Sequence, residues 1–346
     1  MIHSKFNIRF IVVLFLALMV GGSSFSQSHR LKKVQDLSGK WKFSIGDDEK
    51  WAYKDFDDSG WENILVPRMW EKQGFYGYDG YAWYRTKIHF EYKQTNKPMY
   101  LSLGYIDDVD EVYINGILIG HSGSFPRNYA TAFNAKRVYR IPFDILNLNG
   151  KNTIAVRVYD EGGEGGIIHG TIGILVDVEA IPVDLNLQGE WNFRTGDIRI
   201  DKEVNLDFSS WKKITVPGMW ENQGYKDYDG IACYAFEFDL NDQFINERMV
   251  LVLGKIDDMD QVFLNGQLVG SSGNFKRSTI HREPYMHKQL RGYYLPNNAL
   301  INKGKNVLVV KVMDAGGIGG LYEGSIGLIT QPNYIDYWKL RKNSSN

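Results

Sequence analysis

The amino-acid sequence predicts an all-β protein that consists of two tandem antiparallel β-sandwich domains. Apolar residues at every second position, such as Ile154, Val156 and Val158, are typical of a strand that buries one face. An Asn-Gly pair between two apolar runs, as at 115–116, predicts a tight hairpin turn. No stretch shows a sustained helical period with capping residues, so we expect any helices to be short. Many short strands joined by glycine-rich turns favour sandwiches.

The chain contains a second copy of itself, and this repeat defines the two domains. The segment at 37–43 returns 150 positions later at 187–193, and the alternating strand at 154–158 returns at 308–312. We therefore predict a first domain at 34–183, a second domain at 184–332 and a C-terminal tail at 333–346. The tail is expected to pack briefly and then fray.

Residues 1–26 have the pattern of a secretory signal peptide. Lys5 and Arg9 precede an apolar run of eleven residues at 10–20, and small residues follow up to a predicted cleavage site after Ser26. An N-terminal anchor helix is the alternative, but the apolar run is too short to span a bilayer. No cysteine near the cleavage site offers a lipid anchor. We expect a secreted or periplasmic protein with no membrane insertion after cleavage.

Charge and metal-ligand content exclude several classes of function. After removal of residues 1–26 the chain keeps 38 of its 40 Lys and Arg residues, against 41 Asp and Glu. This balance offers no electrostatic surface for nucleic acid or anionic lipid. Cys233 is the single cysteine, so no internal disulfide can form. The seven His residues are scattered without metal-ligand spacing, so we expect no zinc site.

The stretch at 70–84 and its copy at 220–234 combine aromatic residues, carboxylates and glycines. A polyhydroxylated ligand needs aromatic faces and acidic acceptors, and a well-packed β-corner needs them too. Both interpretations stay open at this point. The aromatic residues that lie among turn residues are the candidates for stacking on a sugar, and these are Trp70, Tyr78, Trp220 and Tyr228.

A second group of carboxylates and glycines follows the last strong strand of each copy, at 160–166 and 314–320. Glycines allow the backbone to come close to a ligand or to another strand. A phosphate-binding loop is the rival interpretation. It fails because the residues at 171–176 have a strand pattern, whereas such a loop needs a helix.

Asp107, Asp108 and Asp110 have oxygens that could ligate a structural Ca²⁺. The alternative is that these acids begin a hairpin strand, accept backbone N–H bonds or pair with an arginine. Because the spacing is not that of an EF-hand, the alternative is favoured and we expect no cofactor.

Catalytic motifs find no support in the sequence. The residues at 120–123 resemble a nucleophile elbow, but the second glycine comes one position too early. A glycosidase needs two acids at a defined separation. Glu71 and Asp79 of the first copy recur as Glu221 and Asp229 in the second. One such pair in each copy suits a repeated binding or structural role better than an acid and a base in one active site. We expect a non-catalytic protein.

In combination, these motifs resemble two tandem copies of the galactose-binding-like jelly roll. This sugar-binding domain begins family 2 glycoside hydrolases, such as β-galactosidases and β-glucuronidases, and recurs in bacterial sialate O-acetylesterases. The resemblance covers nearly all of residues 34–332. In the first copy it rests on Phe56, Trp61, Val66, Pro67, Trp70, Glu71, Gly74, Asp79, Gly80, Trp83, Tyr84, Arg85, Leu103, Gly104, Ile106, Asp107, Asp108, Asp110, Val112, Asn115, Gly116, Asn152, Val156, Val158, Asp160, Gly162 and Gly163.

The resemblance implies that loops at one end of each sandwich bind sugar, because in β-galactosidases the loops that match 78–80 and 160–161 reach the edge of the active site. Asp79 and Asp160 would accept hydrogen bonds from sugar hydroxyls, while Trp70 or Tyr78 would cover an apolar sugar face. The candidate ligand-binding residues are Trp70, Glu71, Tyr78, Asp79, Trp83, Arg85, Asp160 and Glu161 in the first copy, and Trp220, Tyr228, Asp229 and Asp314 in the second.

The second copy departs from the pattern of the first. Trp83 and Arg85 become Cys233 and Ala235, and Glu161 becomes Ala315. The first domain is therefore the stronger candidate for binding.

Three functions remain open. The first is an exported non-catalytic carbohydrate-binding protein that binds an oligosaccharide or glycan and is accessory to glycan degradation. The second is an enzyme, either a β-galactosidase-like glycoside hydrolase subunit or fragment that works with a separate hydrolase chain, or a divergent glycosidase that uses its own acids. Neither the catalytic barrel of that family nor the esterase domain has a counterpart in the sequence. The third is a structural or adhesion module, in which the motifs only form β-corners.

Overall fold

The computed structural model describes residues 31–90, 96–200, 206–275 and 286–344. Over these residues the fold is all-β, as the sequence predicts. Twenty strands form four antiparallel sheets, which make up two sandwiches of one four-stranded and one six-stranded sheet each. The predicted signal peptide at 1–26 lies outside the described residues.

The first sandwich uses ten strands. In chain order these are β1 (Leu31–Asp36), β2 (Gly39–Ile45), β3 (Glu62–Val66), β4 (Gly80–Ile88), β5 (Met99–Asp107), β6 (Val109–Ile114), β7 (Ile117–Ser122), β8 (Lys136–Ile141), β9 (Asn152–Asp160) and β10 (Gly166–Asp177). The four-stranded sheet has the order β1-β10-β5-β8, and the six-stranded sheet has the order β3-β2-β4-β9-β6-β7.

The second sandwich repeats this arrangement. Its strands are β11 (Leu185–Asn186), β12 (Gly189–Thr195), β13 (Lys212–Val216), β14 (Gly230–Asp239), β15 (Met249–Ile256), β16 (Met259–Leu264), β17 (Gln267–Ser272), β18 (Leu290–Tyr294), β19 (Lys305–Asp314) and β20 (Leu321–Thr330). The sheet orders are β11-β20-β15-β18 and β13-β12-β14-β19-β16-β17. Each strand of the second sandwich therefore holds the sheet position of a strand in the first.

A hydrophobic core fills the space between the two sheets of each sandwich. The alternating residues of β9, Ile154, Val156 and Val158, are fully buried in the first core, as their period of two predicts. Phe43 makes an edge-to-face contact with Tyr84, with ring centroids 4.9 Å apart. Such aromatic pairs stabilise a core beyond the area that they bury.

The Asn-Gly hairpin predicted at 115–116 is confirmed. β6 and β7 pair up to Ile114 and Ile117, so Asn115 and Gly116 form the two-residue turn. Both have positive φ, 53° and 85°, which a type I′ turn requires and which Asn and Gly tolerate. The Asn115 amide also donates to the carbonyl of Ile145 at 2.8 Å, so it ties the turn to a neighbouring loop.

The C-terminal tail differs from the sequence-based expectation, because residues Gln331–Ser344 form an α-helix, α1. Tyr334 and Tyr337 lie one turn apart and pack on a buried cluster that includes Ile181 and Val252. The Tyr337 hydroxyl donates to the carbonyl of Glu179 at 2.6 Å. Tertiary packing of aromatic residues thus stabilises a helix whose short apolar pattern is weak in isolation. In the described part of the chain, no helix has the length and apolar character needed to cross a membrane.

The two sandwiches contact each other through β8 of the first and through Gln188 and β20 of the second. Arg140 of the first sandwich donates to the Gln188 side chain and, at 3.2 Å, to the carbonyl of Gly324. In the link at 181–184, the backbone N–H of Val183 donates to the Asn96 carbonyl at 2.9 Å, and that of Asp184 donates to the Leu328 carbonyl at 2.8 Å. The link is therefore hydrogen-bonded to both sandwiches.

Candidate functional site

Three segments of the first sandwich meet at one end of its six-stranded sheet. β4 begins at Gly80, which pairs directly with Asp160 at the end of β9. The turn between β5 and β6 lies beside them, since the N–H of Asp108 donates to the Tyr159 carbonyl at 3.1 Å. We call the five carboxylates on these segments the acidic corner, and they are Asp79, Asp107, Asp108, Asp160 and Glu161. The fold thus brings together two of the stretches that the sequence singled out.

Three of these carboxylates lie close to one another. Oxygens of Asp107, Asp108 and Asp160 are all within 4.8 Å of each other. Asp108 is held by hydrogen bonds from the Thr131 hydroxyl and from the N–H of Glu161, the latter at 3.1 Å. The Oδ1 atom of Asp160 accepts the N–H of Gly162 at 3.2 Å, whereas its Oδ2 atom is buried and has no hydrogen-bond partner.

The proximity of these acids perturbs their ionisation. Burial, followed by a hydrogen bond with Asp108 and its charge, raises the pKa of Asp107 to about 7. Burial raises the pKa of Asp160 to about 6, although the Gly162 N–H opposes the rise, and the nearby charges of Asp108 and Asp79 add to it. The pKa of Asp108 is lowered, because its hydrogen bonds from Thr131 and Glu161 outweigh the effect of burial. The corner therefore concentrates negative charge that the protein does not fully neutralise.

Asp160 does not have the exposure that a sugar acceptor needs. Its side chain is fully buried, so solvent and a bound sugar have no access to its carboxylate in this conformation. Asp160 therefore forms the floor of the corner, and its contact with sugar hydroxyls stays a prediction. Asp314, the matching residue of the second sandwich, is buried too, and its Oδ1 atom accepts the Gly316 N–H at 2.8 Å.

Trp70 and Trp220 are packing residues in this structure, and their stacking on a ligand stays a prediction. Both indoles are fully buried. A Cβ atom on Gly165 would lie 2.1 Å from the Trp70 ring, and one on Gly319 would lie 1.7 Å from the Trp220 ring. These glycines allow the backbone to cross the face of a tryptophan, so their role is close packing with an indole.

Tyr78 and Tyr228 fix the same turns from the other side. The Tyr78 hydroxyl donates to the Tyr81 carbonyl at 2.6 Å, and its ring meets Trp70 edge-on with centroids 5.8 Å apart. Tyr228 donates to the Ile231 carbonyl at the same distance. Both rings are half-buried, and both hydroxyl groups donate hydrogen bonds to backbone carbonyls.

Glu71 and Glu221 connect the aromatic turn to the glycine-rich turn. The Glu71 carboxylate accepts the N–H of Gly165 at 3.0 Å, and the Glu221 carboxylate accepts that of Gly319 at 2.8 Å. In each residue the second oxygen is buried without a hydrogen-bond partner. The repeated Glu therefore has a bracing role inside the corner, away from a ligand on the surface.

Trp83 and Arg85 lie on the outer face of the six-stranded sheet and are fully buried under the loop at 46–58. The indole of Trp83 donates to Asp47 at 3.0 Å, and Arg85 donates to Asp58 at 2.7 Å. The loop covers both side chains, and their contacts with a ligand stay a prediction.

Asp79, Glu161 and Asp229 are the sequence-predicted residues that remain exposed. Sequence reasoning missed Tyr76, whose side chain is 92% exposed at the tip of the turn between Phe75 and Tyr78. Lys226 takes its position in the second copy. This difference, beside the repeated residues Trp70, Gln73 and Tyr78, is the signal that could have identified Tyr76.

The three acids considered as possible calcium ligands, Asp107, Asp108 and Asp110, do not all lie together. Asp110 is fully buried in an ion pair with Arg137, with 2.7 Å between Oδ1 and Nε, and it accepts the Tyr139 hydroxyl as well. Asp110 therefore pairs with an arginine, which is one of the alternatives to calcium binding that the sequence left open. Asp160 takes its place beside Asp107 and Asp108. The sequence could not show this exchange, because Asp160 is about fifty residues away along the chain.

The first sandwich is similar to an all-β domain of β-galactosidase. Residues 46–164 match the family model of the second all-β domain of β-galactosidase, a span that contains the whole acidic corner. The resemblance stated from the sequence is thereby confirmed. A protein assigned as a β-glucuronidase in Formosa agariphila is 29% identical over 141 residues, which are 37% of this chain and 13% of that protein.

The chain is also similar to parts of a β-galactosidase and of two β-glucuronidases of known structure. A β-galactosidase of Vibrio vulnificus strain YJ016 is 29% identical over 118 residues, or 33% of this chain and 8% of that enzyme. The solved structure of a Bacteroides uniformis β-glucuronidase is 16% identical, with a TM-score of 0.34 over 82% of this chain and 28% of that one. A Ruminococcus gnavus β-glucuronidase is 12% identical, with a TM-score of 0.34 over 87% and 43% of the two chains. The matched part is thus a small share of each relative.

Proposed function

We propose that this protein is an exported, non-catalytic carbohydrate-binding protein that serves glycan degradation, and that it binds its glycan on the acidic corner of the first sandwich. The observation that carries the proposal is the grouping of exposed Asp79, Glu161 and Tyr76 on a domain similar to an all-β domain of β-galactosidase. The leader pattern at 1–26 supports export.

The exposed groups suit a sugar in two ways. Carboxylates accept hydrogen bonds from hydroxyl groups, and a charged acceptor strengthens such a bond to about 1.5–3 kcal/mol. Tyr76 offers an aromatic face on a loop tip, and an apolar sugar face packs on such a surface. The buried braces beneath, Trp70 and Glu71, keep this loop in one shape, which reduces the ordering that binding requires.

A glycan-binding screen of residues 27–346, followed by calorimetry with the best glycan, tests the proposal. Tyr76→Ala and Asp79→Asn are each expected to weaken binding by about tenfold or more. Asp229→Asn, the matched change in the second sandwich, should leave the affinity unchanged. An absence of glycan binding, or an equal loss in all three variants, contradicts the proposal.

Export has a separate test. The protein recovered from the periplasm or medium of an expressing cell should begin at Gln27, as mass spectrometry of its N-terminal peptide would show. A cell-associated product that retains residues 1–26 would contradict export.

A second candidate function is that of a subunit that lends this corner to a separate glycoside hydrolase chain. The match of residues 46–164 to an all-β domain of β-galactosidase supports this candidate. The purified chain should then show no turnover of aryl β-galactosides or β-glucuronides, and it should bind a hydrolase chain in co-purification. Turnover by the chain alone, lost in Asp79→Asn, would instead make it an enzyme.

A further inference from the structure

The three clustered carboxylates of the acidic corner have the spacing of ligands around one cation. Their oxygens lie within 4.8 Å of each other. Two oxygens that bind the same Ca²⁺ at 2.3–2.6 Å can be separated by at most about 5.2 Å. Asp107, Asp108 and Asp160 therefore do not need to move far to share a Ca²⁺.

Asp160 supplies a second observation that points to a ligand. Its side chain is fully buried, and its Oδ2 atom has no hydrogen-bond partner. A buried carboxylate oxygen without a partner is costly, and native structures usually satisfy it with a donor, a water or an ion. Because the same carboxylate is part of the cluster, a cation between the three acids would satisfy it.

The positive charge nearby does not satisfy the cluster. Arg137 is fully buried, pairs with Asp110, and donates to the carbonyls of Ala132, Ala135 and Asp108. Its guanidinium thus donates to groups other than the Asp160 carboxylate. Asp79 and Glu71 add further negative charge around Asp160. The net field at the cluster attracts a cation.

We propose that Asp107, Asp108 and Asp160 bind one Ca²⁺ at the acidic corner of the first sandwich. The donor set consists of carboxylate oxygens, which Ca²⁺ accepts in a flexible geometry. Hydrogen bonds hold two of the ligands in place, from Thr131 and Glu161 to Asp108 and from Gly162 to Asp160. Such support orients ligands toward a metal. The ion would brace the loops at 107–108 and 160–162, which lie next to the exposed sugar-binding groups.

The second sandwich provides a matched control. Asp257, Asp258 and Asp314 hold the positions that correspond to the three ligands. Asp258 has a left-handed backbone with φ of 56°. Across residues 31–90, 96–200, 206–275 and 286–344, the acids of the first sandwich form the one group of three candidate ligands within 4.8 Å. The same acids in the second sandwich should therefore not bind the ion.

Calorimetric titration of CaCl₂ into protein dialysed against EDTA tests the site. We expect one Ca²⁺ per chain with a Kd at or below about 1 mM. Asp107→Asn and Asp160→Asn should each weaken binding by at least tenfold, since each replaces a charged ligand by a neutral amide. Asp257→Asn should bind Ca²⁺ like the unchanged chain. Thermal melts in EDTA establish that each variant is folded.

Terbium luminescence gives a second readout that reports on location. Tyr129 lies beside Asp108 and can sensitise Tb³⁺ bound at the cluster. Luminescence that CaCl₂ displaces, and that Asp160→Asn removes, supports the site. No Ca²⁺ binding at about 10 mM, or binding in Asp107→Asn and Asp160→Asn as tight as in the unchanged chain, would overturn it. Because these titrations contain no glycan, their failure leaves the proposed function standing, and a failure of glycan binding leaves the calcium site standing.

Discussion

The corresponding corners of the two sandwiches share their internal frame. In both, a buried tryptophan packs on a glycine of the loop opposite, a glutamate accepts the N–H of that glycine, and a buried Asp–Arg pair lies behind. A glutamine also bonds the neighbouring strand in each copy, Gln73 to Leu65 and Gln223 to Thr215. The repeated residues of the sequence are therefore mostly those that hold the corner together.

The two corners differ in what they present to solvent. Tyr76 and Glu161 of the first become Lys226 and Ala315 in the second. The clustered carboxylates occur in the first corner. Most residues repeated between the copies therefore form the packing frame, although Asp79 and the clustered acids are repeated too. Tyr76 and Glu161 are the exposed groups of the candidate site that the second corner lacks.

The largest expected effect comes from the buried ion pair of the shared frame. Asp110→Ala leaves the Arg137 guanidinium buried without its partner, and Asp260→Ala does the same to Arg291. Each should lower the free energy of unfolding by about 3–5 kcal/mol, measured by urea denaturation followed by tryptophan fluorescence. A loss below about 1 kcal/mol in either variant would mean that the two frames are not equivalent.

Next in size is the contact between glycine and indole. Gly165→Ala and Gly319→Ala place a methyl group against Trp70 and Trp220, and each should cost about 1–3 kcal/mol or more through overpacking. Gly60→Ala is the control, because a Cβ there meets nothing within 4 Å. Thermal melts of the three variants compare them. Equal melting temperatures would show that these glycines are not required for packing.

A smaller effect depends on pH. Since the pKa of Asp160 is raised to about 6, the folded protein holds a proton that the unfolded chain loses near pH 4. This contribution to stability is complete below about pH 4 and is lost as the pH rises through 6. In EDTA at pH 8, Asp160→Asn should therefore be more stable than the unchanged chain by on the order of 1–2 kcal/mol, after screening by solvent.

The comparison at low pH is the control for this prediction. At pH 4 the difference between Asp160→Asn and the unchanged chain should disappear, because both then carry a neutral side chain at this position. A difference of the same size at pH 4 and pH 8 in denaturation experiments would show that the charge of Asp160 is not its cause.

The smallest effect is expected at the exposed tyrosine. Tyr76→Ala removes a side chain that is 92% exposed, so the free energy of unfolding should change by less than about 0.5 kcal/mol. A loss well above this value in a thermal melt would assign Tyr76 to the frame shared with the second sandwich. The loss of glycan affinity in Tyr76→Ala would then result from a change in the fold and not from a lost contact with the glycan.

The sequence predicted those features of the fold that depend on neighbouring residues. The alternation at 154–158 and the Asn115-Gly116 turn follow from local side-chain period and backbone preference. The helix α1 was missed, because the aromatic residues that stabilise it pack on Ile181 and Val252, far away along the chain.

The candidate site was predicted only in its location. Trp70 looks like a surface residue because turn residues surround it, but Gly165, almost a hundred positions later, covers its ring. Asp160 looks like an accessible acid because glycines follow it, and the fold buries it beside Asp107 and Asp108. Burial of a loop residue depends on which distant loop lies against it, and local sequence does not contain that information.

The most direct measurement of the central claim is a hydrogen-exchange footprint of the protein with and without its best glycan. If the glycan binds at the acidic corner of the first sandwich, amide exchange should slow at 74–80 and 160–166 in the complex. It should not change at the matching residues 224–230 and 314–320. Exchange that slows equally in both sandwiches, or only in the second, would contradict the claim that the first acidic corner is the binding site.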